Sequence, residues 1–505
     1  MPLPPSSAPL TRAESSDYFY TSRHADMLAF VDALRGLNDP RLHVSDFGST
    51  PEGRALPLLV LSAHGHRTPE AAHASSLPVV LVINGIHAGE VEGKEASMML
   101  VRDILSGHHG DLLERMTLVV VPLFNPDGND RISPENRRLD ITKFEGQLGP
   151  ESGVGTRVNA AGINLNRDYM RQDGAEMRLL QDGVCHRWNA HLIVDCHATN
   201  GSIHRFDLTY DIPHTVLSGR PEPIAYMREV LLPAVSAAVK RSEGSDTFYY
   251  GNFLRDEGGQ GMGWITYTHH PRFGGNYRGL TNRMDLLLET YSYIGFRERV
   301  HVTYAFLRET LRHVADHGKT IVSMLAGCTV PPEEIAVRYR LEAFPDREVE
   351  ILTREPYTLD GGPIAVKVPY IGNFVAEHLV QRPWAYAVPD DIARKLEGHG
   401  LRVDRPSSRP VLDAEIPIVR SAETEAGRKI LESNTASHLE AELRRERRAL
   451  PEGWALVTTQ QQYGAIAVYL CEAGSDDGLL ACGWIAEPAA GSEFPAWRVL
   501  VAPDM

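Results

Sequence analysis

A histidine and a glutamate stand three residues apart in the segment NGIHAGE, where His87 and Glu90 follow an apolar run at residues 77–83. Zinc in catalytic sites takes three protein ligands from histidine and carboxylate side chains and keeps a fourth position open. Two side chains at a strand-to-helix junction can reach one point, and the helix dipole favours a carboxylate there. The pair alone fits a polar loop as well as half of a metal site, so a third ligand is required.

The third candidate ligand is His197, at the end of the apolar segment HLIVDCH. In an open α/β sheet the carboxyl ends of the strands converge on one crevice, so His197 is expected to meet His87 and Glu90 there. Other histidine pairs lack this placement and are expected in polar surface loops. They are His64 with His66, His108 with His109, and His269 with His270.

Four elements in this order resemble the zinc metallocarboxypeptidase family, of the carboxypeptidase A type. They are His87 and Glu90 in NGIHAGE, Asn166 and Arg167 in GINLNRDY, His197 in DCHATNG, and Glu289 in MDLLLETYSY. The resemblance covers about residues 18–326 and implies an α/β fold, with a mixed, mostly parallel β-sheet sandwiched by helices. It also implies one zinc ion, bound by His87, Glu90 and His197 at the carboxyl edge of the central strands.

The resemblance assigns roles to three further residues. Glu289 ends an apolar strand and is expected to be the general base for a zinc-activated water, since partial burial raises a carboxylate pKa toward the working range. Asn166 and Arg167 would bind the terminal carboxylate of a peptide, because the arginine fork matches a carboxylate bidentately. Binding of that carboxylate would make the enzyme an exopeptidase.

Three arginines are candidates for the residue that stabilises the developing oxyanion. The resemblance implies an arginine upstream of the Asn-Arg pair, beside the metal. Arg157 in GTRVNAAGINLNR is the nearest match, and Arg137 and Arg138 in ENRRLD are rivals in the same irregular loop.

A tyrosine that closes over the substrate is also implied, and two residues compete for this role. Tyr267 stands 22 residues before Glu289, which is the spacing that the resemblance favours. Tyr277 stands 12 residues before it, in the Gly-rich segment GGNYRGL, which is typical of a mobile loop.

One position departs from the family pattern. Asn164 stands where the family has an aspartate that orients the first zinc histidine. A neutral acceptor would therefore hold His87, so either metal affinity is lower or another carboxylate substitutes.

The length of 505 residues exceeds what one hydrophobic core usually organises, so more than one domain is expected. Apolar runs alternating with helical patterns predict an α/β catalytic domain at residues 18–328, after an extension at 1–17. Residues 329–505 are expected to form a β-rich α+β domain of unknown role, built of short strands. Its basic run RRERR lies in a Glu-rich helical pattern and is expected to be a solvated helix face.

The net charge of −15 disfavours nucleic acid and anionic membranes as partners. No window approaches eighteen uninterrupted apolar residues, and the start MPLPPSSAPL lacks the charged and apolar regions of a signal peptide. Five cysteines include no pair at the two-residue spacing of zinc or redox motifs. A cytoplasmic protein is expected, with a secreted form that has lost its signal as the alternative.

The predicted activity is that of a zinc carboxypeptidase, a metallopeptidase that hydrolyses C-terminal peptide-like amide bonds. One alternative is a zinc amidohydrolase of the aspartoacylase and succinylglutamate desuccinylase type, or one that trims cell-wall peptides. A second alternative is a catalytically silent binding protein on the same fold. The presence of the three ligands and the base argues against silence. The preferred substrate side chain and the oligomeric state stay open.

Overall fold

The computed structural model describes residues 8–255, 261–430 and 434–503. The strands, in chain order, are β1 (Leu42–Ser49), β2 (Ala55–Leu61), β3 (Val79–Asn84), β4 (Thr117–Val121), β5 (Leu192–Thr199), β6 (Leu208–Asp211), β7 (Thr247–Tyr249), β8 (Asn252–Arg255), β9 (Gly261–Ile265), β10 (Met284–Tyr291), β11 (Glu334–Glu355), β12 (Gly362–Gln381), β13 (Ala385–Pro389), β14 (Val403–Asp404), β15 (Val411–Ile430), β16 (Asn434–Ala449), β17 (Trp454–Thr458) and β18 (Trp497–Val499).

The α-helices, in chain order, are α1 (Arg12–Ser15), α2 (His24–Gly36), α3 (Pro69–Ala74), α4 (Glu92–Leu105), α5 (Pro126–Asn129), α6 (Ala175–Leu180), α7 (Pro221–Tyr226), α8 (Leu232–Glu243), α9 (Gly274–Gly279), α10 (Phe296–Ala326), α11 (Asp390–Glu397) and α12 (Gly464–Cys471). Short 3₁₀ turns occupy Gly110–Glu114 and Leu165–Arg167, and π-helical stretches at Gln181–His186 and Met227–Leu231 continue α6 and α7. None of the described helices is long and apolar enough to cross a membrane.

The central sheet has the strand order β1-β2-β4-β3-β5-β10-β6-β7. Strands β4, β3, β5 and β10 run parallel to one another, whereas β1, β2 and β6 join antiparallel to a neighbour. Every residue of β3, β4 and β5 is buried, because these central strands are covered on both faces of the sheet. The predicted mixed, mostly parallel sheet is confirmed.

Two hydrophobic cores cover the two faces of this sheet. Along β3, Val80 and Val82 point into one core, and Val79, Leu81 and Ile83 point into the other, as strand alternation requires. The first core is completed by α2, α4, α8 and α10. The second is completed by α6 together with β11, β13, α11 and α12 from the C-terminal part of the chain. The C-terminal part therefore packs directly on the sheet that carries the candidate site.

The C-terminal residues form two further sheets, and one of them includes earlier strands. The order β11-β12-β9-β8 joins a long hairpin to two strands from before residue 328. The order β14-β17-β13-β18-β15-β16 makes the other sheet. The domain division near residue 328 stays a prediction.

Two expectations about the C-terminal part are wrong. The run RRERR lies in strand β16 and not on a helix, because pairing with β15 overrides the local helical pattern. Arg445 of this run forms a surface ion pair with Asp413 on β15. The strands are also not uniformly short, since β11 has 22 residues and β12 has 20.

Candidate active site

A turn after β3 carries His87 and Glu90. The chain bends at Gly85, whose φ of +70° is a conformation that side chains disfavour. Asn125 holds the bend, because its backbone N–H donates to the Gly85 carbonyl at 3.2 Å. The Glu90 N–H donates to the His87 carbonyl at 3.0 Å, so both side chains share one turn shortly before α4 begins.

The side chains of His87, Glu90 and His197 converge. His87 Nδ1 and His197 Nδ1 lie 3.2 and 3.0 Å from Glu90 Oε2, and the two nitrogens are 3.2 Å apart. All three side chains are buried, and the imidazole planes lie at 70° to each other. An ion with tetrahedral bonds of about 2.0 Å separates its ligands by roughly 3.3 Å, so the donor types and the spacing fit zinc.

Behind each histidine, a side-chain oxygen lies close to Nε2. His87 Nε2 lies 3.0 Å from Asn164 Oδ1, and that oxygen also accepts the Asn166 N–H at 3.1 Å. The oxygen is thus an acceptor, His87 Nε2 carries the proton, and His87 Nδ1 keeps a lone pair for a metal. His197 Nε2 lies 3.2 Å from Asp195 Oδ1. The anion that the resemblance implies behind the first histidine therefore stands behind the second.

Asp195 belongs to a buried charge network. Its Oδ2 accepts from Arg278 Nη2 at 2.7 Å, and Arg278 also pairs with Asp285 and donates to the Tyr169 hydroxyl at 2.5 Å. Burial alone would raise the pKa of Asp195, but His197 and Arg278 outweigh burial and hold it well below its usual value. Burial would lower the pKa of His197, but Asp195 contributes most to raising it to about 10.

Glu289 lies opposite His197 in the register of β10 and β5, and it lines the same cavity as His87 and Glu90. Burial raises the pKa of Glu289 to about 8, against the opposing effect of His197. A carboxylate with a raised pKa takes up and returns protons near neutral pH, which is what a general base requires.

Two of the three candidate arginines reach the ligands. Arg137 Nη1 lies 2.9 Å from Glu90 Oε1. Arg157 Nη1 lies 3.6 Å from the same oxygen and 3.3 Å from His87 Nδ1. Arg138 points away, with its side chain 73% exposed and paired to a surface glutamate.

Asn166 and Arg167 line the cavity on a 3₁₀ turn. The Arg167 guanidinium stacks on the Phe273 ring, 3.7 Å from its centre. Asn166 Oδ1 accepts the Gly274 N–H at 2.9 Å. Both residues thus offer donors, as a carboxylate ligand requires.

The structure separates the two candidate tyrosines. Tyr267 lines the cavity, with its ring 5.5 Å from that of Phe273. Tyr277 lies in the buried helix α9, where its hydroxyl is 2.8 Å from His399 Nδ1, and it does not line the cavity. The expectation of a mobile Gly-rich loop around Tyr277 is wrong, because this segment is helical and packed inside the protein.

The cavity has a volume of about 680 Å³. Several of its lining residues were not singled out from the sequence: Glu145, Thr199, Asn200, Tyr250, Phe273, Gly275 and Leu287. Thr199 follows His197 on β5 and Asp195 precedes it by two residues on the same strand face, so strand periodicity could have indicated both. Tyr250 and Phe273 come from distant segments without a local signal.

Comparison with known proteins finds similarity to carboxypeptidases. Residues 27–192 match the family model of zinc carboxypeptidases. Carboxypeptidase 2 of Trichophyton tonsurans is 23% identical over 492 residues, covering 90% of this chain and 82% of that protein. Carboxypeptidase D of Mus musculus is 28% identical over 171 residues, covering 31% of this chain and 12% of that protein. The solved metallo-carboxypeptidase from Burkholderia cenocepacia has a TM-score of 0.40 and 19% identity, covering 58% of this chain and 68% of that one. The family match and the carboxypeptidase relatives indicate that the chain is a hydrolase similar to the zinc metallocarboxypeptidases.

Proposed function

We propose that the chain is an exopeptidase that binds one zinc ion through His87, Glu90 and His197 and releases C-terminal residues from peptides. The observation that carries the proposal is the convergence of these three buried side chains at 3.0 to 3.2 Å beside Glu289. The family match supports a peptide-like substrate.

Zinc bound at this centre supplies Lewis acidity, which polarises a carbonyl group and lowers the pKa of water. Glu289 takes the proton of the attacking water and passes it to the leaving nitrogen. Arg157 stabilises the negative charge that develops on the carbonyl oxygen. Its side chain is 35% exposed, against 15% for Arg137, which is bonded closely to Glu90. Arg157 is therefore the better placed of the two to contact a substrate.

Asn166 and Arg167 hold the terminal carboxylate of the substrate in this proposal. Arg167 is kept in place by stacking on Phe273 and by donating to the Asn166 carbonyl at 2.7 Å. A fixed guanidinium loses little conformational freedom when it binds a carboxylate. Recognition of a free C-terminus then depends on these two side chains.

An amidohydrolase that cleaves N-acyl amino acids is the second candidate, because the same Asn166 and Arg167 suit any substrate with a free carboxylate. A silent binding protein is disfavoured, since the site combines a ligand set that fits zinc with a carboxylate of raised pKa. The two enzyme candidates differ in whether a peptide or only a small acylated amino acid is cleaved.

The test compares a free-acid peptide, the same peptide as its C-terminal amide, and an N-acyl amino acid. We expect removal of the last residue of the free acid, with kcat/KM at least about 30-fold above that of the amide, since a charge-assisted bidentate contact contributes about 2–3 kcal/mol. Arg167→Gln is expected to lose this preference, and Arg138→Gln, at the exposed arginine, to keep it. Equal rates on acid and amide would exclude the exopeptidase, and cleavage of the N-acyl amino acid alone would favour the amidohydrolase.

A further inference from the structure

Residues 266–275 follow β9, include the first two residues of α9, and form one wall of the catalytic cavity. Tyr267, Thr268, Phe273 and Gly275 of this segment face the cavity. Phe273 lies under the Arg167 guanidinium, and the next residue along the chain donates its N–H to Asn166. The wall therefore supports both residues proposed to bind the substrate carboxylate.

Two consecutive carboxylates from the C-terminal part hold the back of this wall. His269 Nε2 lies 2.7 Å from Asp476 Oδ2. The Arg272 backbone N–H donates to Asp477 Oδ2 at 2.8 Å, and Arg272 Nη2 lies 2.9 Å from Asp477 Oδ1. The Arg272 and Asp477 side chains are 1% and 0% exposed. The expectation that the histidine pair lies in a surface loop is wrong for His269, which is buried.

The turn that carries the two aspartates is itself fixed. The Asp476 N–H donates to the Val337 carbonyl on β11 at 3.2 Å. Tyr469 on the buried helix α12 donates its hydroxyl to Asp476 Oδ1 at 2.8 Å. The Asp477 N–H donates to Ser475 Oγ at 3.3 Å. Contacts from a strand and from a helix thus set where the carboxylates stand.

His269, His270 and Asp476 also lie close enough together to be considered as a metal cluster. Their geometry differs from that of the first centre. The two imidazole rings are stacked, with centroids 4.4 Å apart and planes at 20°, so their lone pairs run side by side and do not meet at one point. His270 Nδ1 is also hydrogen-bonded to the Thr268 hydroxyl. The cluster is therefore a hydrogen-bonded anchor of the wall.

We propose that Asp476 and Asp477 are positioning residues for recognition of the substrate carboxylate. The two aspartates hold His269 and Arg272 in place and thereby determine the position of Phe273. Because the Arg167 guanidinium stacks on Phe273, they also determine the position of the guanidinium. The inference rests on the proposed exopeptidase function, and it gives the C-terminal part of the chain a role in substrate binding. Neither aspartate lines the cavity, so both act through the wall.

The test uses Asp477→Asn in the full-length zinc-loaded enzyme, because asparagine keeps an acceptor for the Arg272 N–H and loses the charge. We expect KM for the free-acid peptide to rise about tenfold with kcat within twofold, because the substrate contact is displaced while the zinc centre is not. Binding of an N-acyl amino acid, measured by calorimetry, should weaken by the same factor. The amide peptide should be cleaved as by the wild type, so the preference for the free acid shrinks about tenfold.

The matched control is Asp413→Asn, which removes one carboxylate of a surface aspartate–arginine pair in the same part of the chain. It should change none of these quantities. If Asp477→Asn does not fold, Asp476→Asn gives the second variant, with the same split between KM and kcat expected. Asp476→Glu keeps the negative charge that Asp476→Asn removes, so this variant should retain the wild-type preference for the free acid.

Three results would overturn the proposal. The first is an unchanged preference for the free acid in a folded Asp477→Asn or Asp476→Asn variant. The second is an equal loss on acid and amide peptides with a lower Tm, which indicates general structural support. The third is a second zinc per chain that disappears in His270→Ala. A wild type that shows no preference for the free acid refutes the exopeptidase function itself, and the proposal falls with it.

Discussion

Glu289 and His197 are Cα partners on the adjacent parallel strands β10 and β5. The proposed base and one proposed zinc ligand are therefore held side by side by the hydrogen bonds of the central sheet. Sites built on strands fix the positions of their side chains more precisely than sites built on loops. His87 and Glu90 join them from the turn after β3, which is the next strand of the same sheet.

Replacement of Glu289 by glutamine is expected to separate catalysis from metal binding. The amide keeps the size of the side chain but accepts no proton, so kcat should fall about 10²- to 10⁴-fold. Zinc content should stay at the wild-type level. Because burial raises the pKa of Glu289 to about 8, a neutral amide should leave Tm unchanged or raise it. Turnover at the wild-type rate in Glu289→Gln would show that another residue is the base.

The anion behind His197 is expected to strengthen metal binding. Asp195→Asn keeps the shape of the contact at His197 Nε2 but removes the charge, and zinc affinity should fall about 10- to 100-fold. Asn164→Asp places an anion behind His87 and should raise the affinity. Competition with a chromophoric chelator measures both changes without turnover. An unchanged affinity in Asp195→Asn would contradict the assigned role.

The two tyrosines give a matched pair of variants. Tyr267→Phe removes the hydroxyl of a cavity-lining residue and should lower kcat/KM about tenfold. Tyr277→Phe removes a buried hydrogen bond to His399 and should lower the free energy of unfolding by about 1 kcal/mol, with unchanged kinetics. Kinetics and thermal unfolding of both variants check the pair. If kcat/KM fell in Tyr277→Phe and stayed unchanged in Tyr267→Phe, Tyr277 would be the active-site tyrosine.

His204 is expected to make the stability depend on pH. The buried ring packs on Tyr291, 3.9 Å between centroids, and its Nδ1 accepts the Phe206 N–H at 3.2 Å. Burial lowers the pKa of His204 from 6.5 to about 3, so the folded state holds the neutral ring. This contribution is complete above pH 6.5 and is lost as the pH falls toward 3, at up to about 1.4 kcal/mol per pH unit.

The wild type should therefore lose about 2 kcal/mol more than His204→Gln between pH 6.5 and 4.5. Urea unfolding of both proteins at several pH values measures the difference. Parallel curves for the two proteins would mean that His204 titrates normally in the folded state.

The central sheet could be predicted from the sequence because its signals are local. The apolar runs at β3 and β5 have the length of buried parallel strands, and β1 and β2 flank a clear turn. Strand ends meet at one sheet edge, so the meeting of His197 with His87 follows from fold class. The position of Asp195 near the site could also have been predicted, because Asp195 lies on the same strand face as His197.

The contacts that shape the cavity could not be predicted in this way. Asp476 meets His269 across about 200 residues of sequence, and no local pattern reports such a pairing. RRERR has the composition of a helix, but cross-strand pairing decides its structure. Glycines flank Tyr277 as in a loop, but this segment forms a buried helix in which Tyr277 contacts His399. Tertiary contacts outweigh local preference in each case.

The most direct test of the zinc centre follows metal content and turnover in one preparation. We expect one zinc per chain, loss of free-acid peptide cleavage after chelation, and recovery of cleavage when one equivalent of zinc is added back. His197→Ala should lose both the zinc and the activity, because it removes one of three convergent ligands. Full peptide cleavage by metal-free protein, or zinc retained at wild-type affinity in His197→Ala, would contradict the assignment of the centre.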